Sequence, residues 1–164
     1  MIVFDSVTKK YKNGTVALDN VSFALGAGEL VVVTGQSGSG KTTLMRSMIR
    51  DIEIDKGKIV IDGDDIGRIP AKNIPLLRRK IGVIFQDFKL LSDRTIAENI
   101  DLSLDILGLS ESVAKKRRSE LLELTGLSDK EHDFPSQLSG GELQRVAIAR
   151  SLSPEPKILF ADEP

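Results

Sequence analysis

The stretch whose reading decides the fold is GELVVVTGQSGSGKTTLMRSMI, Gly28 to Ile49. Its centre, GQSGSGKT from Gly35 to Thr42, fits the spacing G-x-x-x-x-G-K-[ST]. At an ordinary glycine usage of about 7%, such a match arises by chance in about one chain of this length in a few hundred. Context strengthens it. ELVVV on the N-terminal side is a nearly unbroken apolar run, the pattern of a buried parallel strand. On the other side, Leu44, Met45, Met48 and Ile49 fall on one helical face. Glycines let a backbone wrap tightly and aim successive N–H groups inward. The helix that follows adds its unpaired N-terminal donors and the positive end of its dipole. The expected phosphate-binding set is therefore Gly35, Gln36, Ser37, Gly38, Ser39, Gly40, Lys41, Thr42 and Thr43. Lys41 supplies a full charge to the β- and γ-phosphates, and the Thr42 hydroxyl is suited to ligate Mg²⁺. A flexible Gly/Ser linker is the plainer reading, but a linker has no reason to sit between two core-forming elements. Nucleotide binding follows from the loop. The reaction does not, because small-molecule kinases carry the same one.

Outward from the loop, MIVFDSVTKKY and VALDNVSFAL are β-prone runs around the turn dipeptide Asn13-Gly14, as in an antiparallel hairpin. GKIVIDG and RKIGVIFQD read as further strands. TIAENIDLSLDILG opens with Thr95 three residues before Glu98, a capping-box spacing, and SESVAKKRRSELLELTG again runs from a serine to a glycine. Residues 88–138 thus read as a helical insert between strand-rich flanks. A last helix, GGELQRVAIARSL, precedes the apolar strand KILFA, expected to be buried on both faces. Strand and helix in alternation give an α/β fold: a P-loop NTPase core with a mainly parallel sheet, an N-terminal antiparallel β subdomain and a helical insert.

Composition narrows the class. The chain has 164 residues, a formal net charge of −1 and no cysteine. Disulfides and thiolate metal sites are excluded, and near-neutral charge argues against a nucleic-acid partner. No stretch approaches a signal peptide or a membrane span, so a soluble cytosolic protein is expected. KKRR, Lys115 to Arg118, reads as a solvated helix face, and His132, the one histidine, as a surface residue.

LSGGELQR, Leu138 to Arg145, separates the kinase reading from its rival. Ser139 and Glu142 have the spacing of a capping box, which leaves Gly140 and Gly141 unexplained. A glycine within a helical turn costs about 1 kcal/mol relative to alanine. Two in succession make sense where a second anion approaches that backbone closely.

GQSGSGKT, the glutamine after IGVIF, LSGGE and ILFADE stand in the order of the nucleotide-binding domains of ABC ATPases. The chain resembles that family from its first strand to its last residue. The resemblance implies a head-to-tail homodimer in which each ATP lies between one copy's phosphate loop and the other's Ser139, Gly140, Gly141 and Glu142. It also implies Mg²⁺ held by Thr42, Gln86 and Asp162, the last through water. Glu163 would polarise the attacking water, Gln86 would sense the γ-phosphate, and Tyr11 would stack on adenine.

Within the family, Asp87 directly after the glutamine and LLSDRT further on resemble the branch that acts in cell division. That branch implies an integral membrane partner of the FtsX type, docked against Phe88, Leu90 or Leu91, and a location on the inner face of the cell membrane. Lipoprotein-release and macrolide-export ATPases, a nucleotide-gated scaffold and a DNA-acting ATPase are the alternatives. Family members continue past Asp-Glu-Pro, so the resemblance also implies a fold incomplete at the C-terminus. Its 164 residues would then bind ATP weakly, turn it over slowly or not at all, and tend to aggregate.

Overall fold

Residues 1–162 are described by the computed structural model. The backbone divides into two units, Met1–Arg78 and Arg79 onward.

The first unit is built on a four-stranded antiparallel sheet. β1 (Ile2–Lys10) pairs with β2 (Val16–Leu25) on one side and β3 (Lys56–Ile61) on the other, and β4 (Asp64–Asp65) extends the edge beyond β3. The hairpin around Asn13-Gly14 thus forms, with Ile2 opposite Leu25 and Phe4 opposite Phe23. The Phe4 and Phe23 rings stack with centroids 4.5 Å apart. Irregular pairing between Phe4 and Val7 interrupts the alternation of β1. There Ser6 adopts φ 54° and donates its N–H to Ser22 Oγ at 2.8 Å. α1 (Lys41–Met48) buries Thr43, Leu44, Met45, Ser47 and Met48. That face follows from the 3.6-residue repeat of its apolar positions.

The apolar run before the phosphate loop behaves differently from the sequence expectation. Residues 29–34 form no strand, and Leu30 is 93% and Val32 77% exposed. An apolar run encodes a preference for burial but cannot supply the neighbouring strand that completes its backbone hydrogen bonds, and no described residue ladders with it.

The second unit combines a parallel strand pair with helices. The short helix α2 (Ile74–Arg79) ends the first unit, and in the second β5 (Ile81–Ile84) pairs in parallel with β6 (Ile158–Ala161), Ile81 opposite Ile158 and Ile84 opposite Ala161. Parallel pairing among the described residues is confined to these two strands. Among the described residues β6 is paired along one edge only, and it is not buried on both faces: Leu159 is 50% exposed. α3 (Ile96–Asp105), α4 (Glu111–Thr125) and α5 (Gly140–Leu152) enclose a core of Ile100, Leu104, Leu121, Leu122, Leu127 and Val146. Thr95 and Glu98 close a reciprocal capping box on α3, and Gly126 ends α4 in the left-handed conformation. KKRR is only partly a solvated face: Arg118 pairs with Asp101 on α3, and Arg117 with Glu120 and Glu155. Burial pushes the Asp101 carboxyl above its ordinary value, against the pull of Arg118. His132 lies at the surface beside Glu131.

Candidate functional site

In the first unit, the loop from Gly35 to Gly40 is exposed except at Gly40 and carries two left-handed glycines, Gly38 at φ 81° and Gly40 at φ 98°. Gly40 is the N-cap of α1 and offers no side-chain cap, so the first N–H groups of the helix have no side-chain acceptor from that position. A Cβ on Gly40 would lie 2.2 Å from the Ala17 carbonyl oxygen, and one on Gly35 would lie 2.4 Å from Ser39 Oγ. Gly40 is therefore required where it stands, by its left-handed φ and by a backbone neighbour, whereas at Gly35 rotation of the Ser39 hydroxyl relieves most of the contact. The Lys41 ammonium folds back over it and donates to the Gly35 oxygen at 2.8 Å and the Gln36 oxygen at 3.1 Å. Neutral carbonyls orient the charge without cancelling it. Thr42 is exposed and Thr43 buried. The Tyr11 hydroxyl lies 3.2 Å from Thr43 Oγ1 in the first turn of α1, so the one tyrosine stands at the loop. Lys9 Nζ lies 5.8 Å from its ring centroid, a cation–π contact on one face.

In the second unit, Gln86 follows β5 and Asp162 follows β6. The parallel register places Ile84 beside Ala161, and the Asp162 N–H donates to the Ile84 oxygen at 2.9 Å. Gln86 and Asp162 thus stand at the carboxyl ends of two adjacent strands, the place where open α/β sheets bind ligands. Gln86 and Asp162 offer an amide and a carboxylate oxygen here, and Thr42 in the first unit a hydroxyl oxygen, each a hard donor type that Mg²⁺ accepts. Glu163 lies outside the described residues.

Ser139 caps α5. Its hydroxyl donates to Glu142 Oε2 at 2.6 Å, its N–H donates to the same oxygen at 2.8 Å, and the Glu142 N–H returns to Ser139 Oγ at 3.4 Å. These bonds from Ser139 hold the Glu142 carboxyl below the ordinary range. Ser139 and Glu142 are thus engaged with each other. Gly140 and Gly141 have ordinary negative φ; a Cβ on Gly140 would meet nothing within 4 Å, and one on Gly141 only the tip of Arg145 at 3.8 Å. Among the described residues, neither backbone strain nor packing requires them.

Two polar side chains that sequence reasoning missed hold the segment after Gln86. Asn99, fully buried on α3, accepts from the Leu91 N–H at 2.8 Å and donates to the Leu91, Arg94 and Thr95 oxygens. Arg150, near the end of α5, donates to the Lys89 oxygen at 2.7 Å and the Phe88 oxygen at 2.6 Å, and burial pushes its pKa down. In the sequence, Asn99 is one of several polar residues in a helical run and Arg150 a cation near a helix C-terminus, where cations are ordinary. Among the expected docking residues, Leu90 packs against the helical core, Phe88 is half-buried and Leu91 is 41% exposed.

A family model described as "ABC transporter" matches residues 18–164. The chain belongs to the ABC transporter family. It is 48% identical to the cell division ATP-binding protein FtsE of Bacillus subtilis over its whole length and 72% of that relative. It is 42% identical to the methionine import ATP-binding protein MetN of Rhizobium meliloti, over 99% of this chain and 47% of MetN. Among solved structures, the dimeric ATP-binding cassette MJ0796 in a post-hydrolysis state with ADP and Pi superposes with a TM-score of 0.90 at 36% identity, covering 99% of this chain and 73% of that one. The ABC ATPase fold expected from the motif order is therefore the fold of this chain. Among the described residues, no helix is long and apolar enough to cross a membrane.

Proposed function

We propose that the chain carries the ATP-binding machinery of the ATP-hydrolysing subunit of a cell-division complex, paired head to tail with a second copy and driving or gating an integral membrane partner of the FtsX type. The observation that carries the dimeric site is the space at Gly140, and at Gly141 beside the tip of Arg145, which no described residue fills. It fits a nucleotide presented by the phosphate loop of the other copy, with the two bare amides approaching its phosphates. In this reading the loop amides and Lys41 bind the β- and γ-phosphates, Tyr11 offers adenine the ring face away from Lys9, and Thr42, Gln86 and Asp162 hold the metal. Mg²⁺ supplies neutralisation of the phosphate charge. Glu163 accepts a hydrogen bond from the attacking water and orients it, which a carboxylate does at neutral pH without a raised pKa. The membrane partner places the subunit at the cytoplasmic face of the membrane, and exposed Leu91 fits a docking contact. The dimeric MJ0796 cassette supports the pairing, and the FtsE similarity, with Asp87 and LLSDRT, supports the division role.

Sedimentation of the Glu163→Gln chain tests the pairing. Association is expected with Mg–ATP and not with ADP; a monomer in both overturns it. The similarity to MetN favours a second reading, solute import. Growth of a division-defective strain lacking its own FtsE separates the two, since rescue requires the first. Rescue by Glu163→Gln as well would mark the subunit as a nucleotide-gated scaffold.

A further inference from the structure

The segment after Gln86 is held in a conformation that its own residues disfavour. Phe88 and Lys89 are consecutive left-handed residues, at φ 56° and 49°, and neither is glycine. For bulky side chains that region is costly, and a pair of such residues persists only where the surroundings over-determine it. Local bonds do part of this: the Phe88 N–H donates to the Phe85 oxygen at 2.9 Å and the Lys89 N–H to the Asp87 oxygen at 2.6 Å. The rest comes from Arg150. Its two terminal nitrogens each take one of the two adjacent carbonyls, Nη2 that of Phe88 and Nη1 that of Lys89. A planar guanidinium matches two neighbouring oxygens in a way that a lysine ammonium, a single point, cannot. Arg150 also belongs to the helix that begins at Ser139. Eleven residues at about 1.5 Å each put about 16 Å of rigid helix between the two ends.

We propose that Arg150 is a positioning residue: it locks Phe88 and Lys89 in the left-handed turn that presents Gln86, and through α5 it ties that turn to the Ser139–Glu142 segment. The inference rests on the nucleotide reading above and assigns Arg150 no contact with nucleotide. ADP, lacking the γ-phosphate, is bound by the loop without the service of Gln86. ATP needs both.

The test uses the full chain with Arg150→Lys, Lys89→Pro and the double variant Arg150→Lys/Lys89→Gly. Proline cannot adopt the left-handed conformation, so Lys89→Pro breaks the turn from an exposed position without touching Arg150. Glycine adopts that conformation without strain, so it relieves the need for the clamp. Two quantities are read: amide hydrogen exchange of residues 87–91, with residues 142–149 as the folding control, and affinities for fluorescent ATP and ADP. Arg150→Lys and Lys89→Pro are each expected to speed exchange in 87–91 by about tenfold. Each should lower the preference for ATP over ADP by about fivefold and leave ADP affinity within about twofold. The added glycine restores the preference. Unchanged exchange or unchanged preference in Arg150→Lys, with ADP binding intact, overturns the role of Arg150, as does failure of glycine to rescue. A merely structural arginine would alter ADP and ATP binding alike and would gain nothing from glycine at 89. Absence of ADP binding by the unaltered chain overturns the nucleotide reading itself and this role with it.

Discussion

Two glycines at two helix starts show how one residue type serves different ends. Gly40 is demanded by the fold: its φ is 98°, and an added Cβ would meet the Ala17 carbonyl at 2.2 Å. Left-handed strain alone costs about 1–3 kcal/mol, and the clash adds to it. Gly40→Ala is expected to lower Tm by about 5 °C or more and to abolish nucleotide binding with it, as a thermal scan with and without ATP would show. Gly140 is not demanded by the fold, since a Cβ there would meet nothing within 4 Å. Alanine is the better helix former by up to about 1 kcal/mol. Gly140→Ala should therefore leave Tm unchanged or raise it while ATP-driven association falls. A variant that is at least as stable but associates less well is the signature of a residue kept for a ligand. Loss of stability without loss of association would assign Gly140 to the fold instead.

Elements with their own punctuation were legible in the sequence. Thr95 and Glu98 announce α3, Gly126 ends α4, and Ser139 with Glu142 begins α5; each of these caps is present. Glu98 and Glu142 carry a pH dependence with a definite sign. Hydrogen bonds from Thr95, chiefly its backbone N–H, hold Glu98 below the ordinary glutamate value of 4.5, and those from Ser139, chiefly its hydroxyl, do the same for Glu142. A depressed folded pKa means stability fully present above the unfolded value and lost as pH falls through the folded one. Asp101, pushed up by burial, acts in the opposite sense. Urea midpoints measured from about pH 6 to about pH 3 should fall, and Glu98→Gln/Glu142→Gln should flatten that fall. An equally steep fall in the variant would place the acid lability elsewhere. What the sequence hid were elements set by partners. Residues 29–34 have the composition of a strand and no ladder. β4 is two aspartates whose strand geometry comes only from Val60 and Ile61 opposite them. Of the candidate site, the glycine loop and its lysine were legible because they are close in the chain. The grip of Arg150 on Phe88, across 62 positions, was not.

For the molecule as a whole, exposed apolar backbone beside the phosphate loop is the main liability. Leu30 is 93% and Val32 77% exposed in a segment whose amides and carbonyls are not laddered, which invites pairing between chains. Leu30→Glu/Val32→Lys is expected to leave Tm within about 2 °C and to slow the growth of light scattering at high protein concentration. Unaltered scattering would point to another surface. In the proposed function, a loop grips phosphate with backbone amides and one ammonium, and replacing that ammonium addresses the proposal most directly. In a fluorescent-ATP titration, Lys41→Met is expected to weaken binding by at least about tenfold, the loss of one charge-assisted contact worth about 1.5 kcal/mol or more, with Tm unchanged in the absence of nucleotide. ATP affinity equal to that of the unaltered chain would contradict the account.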